Sequence, residues 1–333
     1  MSYLKHAFTA YLLAGLFCFV SPAYSQGDDP LFYGERTMRI NNPVNKTIIE
    51  ISLPDTLTNI STRKKTLLIF FALPNGNSIE WTKGKRLSEG DDWHYDIQHI
   101  AAQTLYLRSL MTDRNVIVVY MANELKSWPA WKRAQSNGPG EIKRIVDSIT
   151  GMFAAWQPEV MLNSHSGGGS FIFGYLDAVN EIPENITRIG FIDSDYGYED
   201  SLHTGKLVKW LKSSKHHLNV LAYNDSVVIY NGKPLVSPTG GTWYRTKWMQ
   251  RKLGEHFKFK NEADTSLVHY SALSGRIDIY LKINDQGKIY HTEQVARNGF
   301  IHTVVSGTSY QRKAGYTYWG ERAYDRFIRA ITN

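Results

Sequence analysis

The chain has 333 residues, 42% of them apolar and 21% charged, with a formal net charge of +7. That apolar share excludes an intrinsically disordered chain, and the length suits one large α/β domain. A single cysteine, Cys18, excludes a disulfide framework and a cysteine-ligated metal site.

Lys5, an apolar run from Ala7 to Val20 and then Ser21-Pro22-Ala23-Tyr24-Ser25 have the order of a secretory signal peptide, with cleavage before Gln26. The run is shorter than the ~20 residues of a membrane span, and no second run of spanning length follows. The expectation is residues 1–25 as signal peptide, a periplasmic or secreted location, and one domain over residues 26–333.

Thr37–Ile40 and Thr47–Leu53 read as strands joined through Asn41-Asn42-Pro43. Thr66–Ala72 is an unbroken apolar run, the mark of a strand buried on both faces. It ends in the turn-rich loop Leu73-Pro74-Asn75-Gly76-Asn77. Gly90-Asp91-Asp92 precedes a helical face of Ile97, Ile100, Ala101, Thr104 and Leu105, where the aspartates suit capping. Two adjacent aspartates without further spaced ligands do not make a metal site. Asn115–Tyr120 is a further strand, followed by a loop with Trp128 and Trp131. A helix from Glu141 carries Ile142, Ile145, Val146, Ile149, Met152 and Phe153 at helical spacing as a core face.

Val160-Met161-Leu162 then reads as a short buried strand and Ser170–Leu176 as a helix, with Ser164-His165-Ser166-Gly167-Gly168-Gly169 between them. A serine on so tight a turn sits in strained backbone, and its neighbours must be small or strand and helix collide. Arg188–Ile192, a helix around Lys206–Leu211 and Leu218–Tyr223 continue the alternation, which implies right-handed crossovers and a mostly parallel sheet with helices on both faces. Residues from Ser226 to about Asp264 break the pattern and read as an insertion holding a hairpin and a helix near Trp243–Gly254. Arg276–Ile283 and Lys288–Glu293 flank Asn284-Asp285-Gln286-Gly287 as a hairpin, and a helix over Glu321–Ile331 ends the chain.

The small-x-Ser-x-Gly elbow at Ser164–Gly168, the strand–helix series and a late histidine resemble the α/β-hydrolase superfamily, from about Thr37 to the C-terminus. The resemblance implies an α/β-hydrolase fold and a Ser-His-Asp triad. It places the nucleophile at Ser166 and an oxyanion donor at the Gly167 N–H, with a second near Asn75 because Pro74 has no N–H. The base belongs in a loop after the last strand, where His302, after Asn298-Gly299, is preferred to His291, which lies inside a strand pattern. The acid is Asp225, after Leu218–Tyr223, or Asp193, after the preceding strand. No metal or cofactor is required. Phe71–Asn77, Gly90–His94 and Phe191–Tyr198 further resemble secreted bacterial hydrolases of polysaccharide-degrading systems, some of them pectin methylesterases. That resemblance and the basic balance imply a carboxylesterase on an acidic polysaccharide, with no nucleic acid partner and with a basic, tryptophan-bearing cleft. An acetyl or feruloyl esterase, a serine peptidase and a carbohydrate-binding protein on the same fold are the alternatives. Oligomeric state has no sequence signal here.

Overall fold

The computed structural model describes residues 35–54 and 60–329. The expected signal peptide lies outside them. Strands run, in chain order, over Arg36–Asn42 (β1), Thr47–Leu53 (β2), Lys65–Ala72 (β3), Arg114–Asn123 (β4), Glu159–His165 (β5), Ile186–Ile192 (β6) and His217–Tyr223 (β7). After these come a two-residue-per-arm hairpin, Ile229–Tyr230 (β8) with Lys233–Pro234 (β9), and then Lys260–Ala263 (β10), Leu267–Ala272 (β11) and Ile277–Lys282 (β12). Ten of them form one sheet in the order β1-β2-β4-β3-β5-β6-β7-β12-β11-β10. From β4 through β12 all neighbours are parallel, whereas β1, β2, β11 and β10 are joined antiparallel at the two sides.

Helices cover Ile79–Lys83 (α1), Ile100–Leu110 (α2), Trp128–Ala134 (α3), Gly138–Met152 (α4), Gly169–Ala178 (α5), Asp200–Leu211 (α6), Thr242–Gly254 (α7), Glu293–Ala296 (α8), Gly299–Val305 (α9) and Ser309–Lys313 (α10). The continuous apolar strands are explained by burial on both sides. Along β5, Val160 and Leu162 join one core with side chains of α3 to α7, while Met161 between them joins the other with α2 and α9. The α4 helix starts where Asn137 accepts from the Gly140 N–H at 3.0 Å and Pro139 occupies the first turn. A mostly parallel sheet with helices on both faces, its strands crossing in this order, is the α/β-hydrolase fold.

Several local expectations change, and the expected loop at Trp128 and Trp131 is the helix α3. Residues after β12 form no second hairpin strand: Asn284 instead folds its side chain over the turn, accepting from Lys288 N at 3.0 Å and donating to Lys288 O at 2.7 Å. His291 therefore stands in a loop that leads into α8. The expected helix over Glu321–Ile331 is one helical turn, Asp325–Phe327, within the described residues. Within 226–264, α7 places Met249 and Leu253 in the main core, and β10 pairs with β11 to widen the sheet. Among the described residues no helix is long and apolar enough to cross a membrane.

Candidate active site

The carboxyl ends of the central strands bring the elbow, two aspartate loops and the His291 loop together, as the doubly wound topology dictates. Strand β5 ends at His165, Ser166–Gly168 makes one tight turn, and α5 starts at Gly169. Ser166 has a φ of 55°, the left-handed region that a non-glycine residue enters only when its surroundings hold it there. Those surroundings are close. A Cβ on Gly168 would strike the Ala72 carbonyl, and one on Gly169 the Ser194 carbonyl. Ser164, where glycine is commoner, is fully buried, and its hydroxyl meets that of Ser194 at 2.8 Å. A hydroxymethyl group fits there because it has that partner.

Asn75, on the loop after β3, lies against the elbow, since a Cβ on Gly167 would fall onto its side chain. Gly76 N donates to Lys126 O at 2.8 Å and tethers that loop. The two residues expected at the oxyanion position are thus neighbours. Together with Ser166, Ser170, Phe173, Ser194, Tyr196 and other side chains they line a cleft of about 580 Å3. Charged groups in the lining are Lys132, Asp177 and Glu199. No tryptophan is among them; Trp128 and Trp131 are 1% and 0% exposed and belong to the core.

Asp193 follows β6 with a φ of 44° and is fully buried. One carboxylate oxygen meets His291 Nδ1, and the other accepts from the Thr242 hydroxyl. His291 is a quarter exposed, so its remaining edge is open to solvent. Its ring lies on that of His165 at 4.8 Å between centroids, which puts it beside the residue preceding Ser166. Among the described residues the Ser166 hydroxyl has no hydrogen-bond partner, and catalytic contacts are often this loose before substrate binds.

His165 is itself buried. Its Nε2 faces the His291 carbonyl at 3.1 Å and its Nδ1 faces Gln98 Oε1 at 3.2 Å. Burial first, and the His291 charge second, push its pKa well below the usual value, so the ring is neutral. Both facing atoms are oxygen acceptors, so the one N–H of the neutral ring can be given to only one of them, while the Gln98 amide nitrogen donates to Asn77 and Thr82. Gln103 supports the same loop, donating to Val295 O at 3.1 Å. Neither glutamine carries a sequence signal, because a buried glutamine is recognisable only from the partners that the fold supplies.

Asp225 and His302 occupy other positions. Asp225 accepts from Thr242 N at 2.8 Å and from Trp243 N at 3.4 Å, closing the start of α7. Burial, then the charge of Asp193, raises its pKa to about 6. Asp195 is raised to about 8, chiefly by burial, with the Thr246 hydroxyl donating to it at 2.8 Å. His302 lies within α9, 2% exposed, with Nε2 on Asp278 at 2.8 Å and Nδ1 on the Tyr316 hydroxyl at 2.9 Å. Asp278 pairs in register with Asn219, Asn219 with Gly190 and Gly190 with Asn163. That level is three residues short of Ser166 along β5, on the order of 10 Å away. The sequence-based preference for His302 and Asp225 thus meets a structure that pairs His291 with Asp193 and ties the other two elsewhere.

No family model matches the chain, and no curated protein is similar to it in sequence. Solved structures are similar. A thermostable esterase matches at 12% identity and a TM-score of 0.48, over 83% of this chain and 64% of that one. An IroE-like serine hydrolase from Shewanella oneidensis matches at 12% and 0.47, over 81% and 78%. A siderophore hydrolase, EstB from Aspergillus nidulans, matches at 13% and 0.42, over 81% and 94%. The chain spans less than two thirds of the length of the first.

Proposed function

We propose that the protein is a serine hydrolase of carboxylic esters, with Ser166 as nucleophile, His291 as general base and Asp193 as the orienting acid. The observation that carries this is the Asp193–His291 pair, set at the same sheet edge as a serine held at positive φ. Asp193 accepts the Nδ1–H of His291, which leaves Nε2 as the base. Nε2 takes the Ser166 proton as the oxygen attacks the ester carbonyl. The oxyanion that forms is stabilised by the Gly167 N–H and a donor of the Asn75 loop. Collapse expels the alcohol, which takes the proton back from His291. Water then gives a proton to His291 as its oxygen bonds to the acyl carbon. The acyl–Ser166 bond breaks with that proton returned to the serine oxygen, which releases the acid.

The finer reading is a methyl ester on an acidic polysaccharide. It draws support from the net charge of +7 and from Lys132 in the cleft. Asp177 and Glu199 share that lining, so the groove is not uniformly basic. Export through a signal peptide over residues 1–25 belongs to the same proposal, since a polysaccharide substrate lies outside the cell.

The test is hydrolysis of p-nitrophenyl acetate, and methanol release from methyl-esterified pectin, by wild type and Ser166→Ala. Cleavage by the wild type alone is expected. Turnover untouched by Ser166→Ala overturns the mechanism, and cleavage of the acetate without methanol release overturns the finer reading only.

A further inference from the structure

Of the nine tryptophans, Trp93 alone is mostly exposed, at 64%, and it does not stand by itself. Its ring stacks on His94 at 3.9 Å between centroids, and Trp81 stacks on the same imidazole at 4.3 Å with only 12° between planes. Lys126 Nζ lies 5.7 Å from the centre of Trp81. The pile is held in place before any ligand arrives. Asp92 accepts from the His94 backbone at 2.9 Å and also meets its ring, and Ser78 Oγ accepts from Trp81 N at 3.1 Å. Rigid aromatic surface of this kind binds with little loss of side-chain freedom.

Its place in the fold says what it serves. Trp81 follows Asn75 by six residues through the Ser78 cap, and Lys126 accepts the backbone bond that tethers Gly76. The stack is therefore the continuation of the loop that borders the cleft at Asn75. None of its rings lines the cleft itself, so it would serve a substrate long enough to extend beyond Asn75.

The surface around Trp93 selects the chemistry. Ser88, Glu89 and Asp92 are exposed, and Asp91 is paired with Lys85 at 2.7 Å. An acyl chain or an apolar protein face would have to cover those groups and leave them unpaired. A pyranose has an apolar C–H face the size of an indole and hydroxyls around its edge, which matches one flat ring fringed by polar groups. We propose that the Trp93–His94–Trp81 stack with Lys126 is a sugar-ring subsite for the saccharide part of the ester substrate. This rests on the hydrolase reading above and extends it to a glycan substrate.

The experiment uses Ser166→Ala in native gels containing methyl-esterified pectin or neutral xylan, with Trp93→Ala and Trp93→Tyr added. Retardation by at least one polymer is expected, lost in Trp93→Ala and largely kept in Trp93→Tyr. The pectin and xylan lanes distinguish a uronate from a neutral ring. In the Ser166 protein, Trp93→Ala should lower the ratio of kcat/KM on the polymer to that on p-nitrophenyl acetate roughly tenfold, through KM, the size of one lost ring stack. Retardation by neither polymer, or equal retardation and an unchanged ratio in Trp93→Ala, overturns the subsite. The gel readout needs no turnover, so failure of the catalytic reading leaves it able to stand or fall alone.

Discussion

Alanine at His302 and alanine at His291 should damage different properties, and the structure sets the size of each effect. Burial works against the Asp278 carboxylate, while hydrogen bonds from His269 and His302 overcome that cost and hold its pKa well below the usual range. Removing His302 leaves Asp278 with His269 at 2.5 Å and the Ser306 hydroxyl, and leaves the Tyr316 hydroxyl without its partner. Breaking a buried pair costs about 3–5 kcal/mol; two partners remain, so the lower end, about 3 kcal/mol, applies. For a chain of this size that lowers Tm by roughly 5–10 °C. The active edge is untouched, so the rate per folded molecule should stay within a few-fold. His291 is a quarter exposed, and its loss should cost little stability but about 10^4-fold or more in kcat. Urea melts and initial rates on p-nitrophenyl acetate, normalised to the folded fraction, read both quantities. A stable but inactive His302→Ala beside an active His291→Ala would refute the assignment.

Asp193→Asn should lower kcat by about 10^4-fold, because the amide no longer fixes the His291 tautomer. Asp225→Ala should instead cost about 1–2 kcal/mol of stability through the lost cap on α7, with kcat nearly intact; chemical denaturation and rates on the same samples separate them. Gly167→Ala should lower kcat by about 10–100-fold with a near-normal Tm, since its new methyl displaces only the exposed Asn75 side chain. Gly169→Ala meets backbone at Ser194 and should cost about 2–3 kcal/mol, seen as a lower urea midpoint. Stability should also fall with rising pH. Native Asp195 keeps its proton up to about pH 8, whereas the unfolded carboxyl loses it near 4, so the native state binds more protons across that window. Asp195→Asn should flatten the decline of Tm between pH 5 and 9; an unaltered decline in the variant would place its cause elsewhere.

Much of the fold was legible because its signals are local. The uninterrupted apolar runs at Leu67–Phe71, Val116–Tyr120 and Val160–Leu162 can be satisfied only where both faces of a strand are covered, and the structure buries every one of those residues. The helix beginning near Glu141 announced itself by period, whereas its Asn137 cap emerged only in the structure. Residues 260–272 gave no such signal. Strand β10 is exposed along its whole length and β11 is half-buried, so neither has the apolar pattern of a covered strand. Their pairing is set by the β12 edge, which is a tertiary property.

The site divides along the same line. The placement of Ser166, Gly167 and Asn75 around one turn was recognisable because an elbow is a local device: strand, tight turn, helix, with small residues wherever backbone meets backbone. The choice between two histidines and two aspartates was not local. His291 sits among residues whose alternation imitates a strand, yet Asn284 uses its side chain to close that turn and ends the ladder at β12. The loop thereby becomes free to carry an imidazole to the sheet edge. Asp193 and Asp225 both follow central strands, and sequence position cannot rank them. What separates them is Thr242, whose hydroxyl goes to Asp193 while its backbone N–H goes to Asp225. The helix start occupies Asp225, and the oxygen of Asp193 that Thr242 leaves open is the one that meets His291. The start of an insertion-borne helix, α7, thus occupies Asp225 and leaves one oxygen of Asp193 to the histidine.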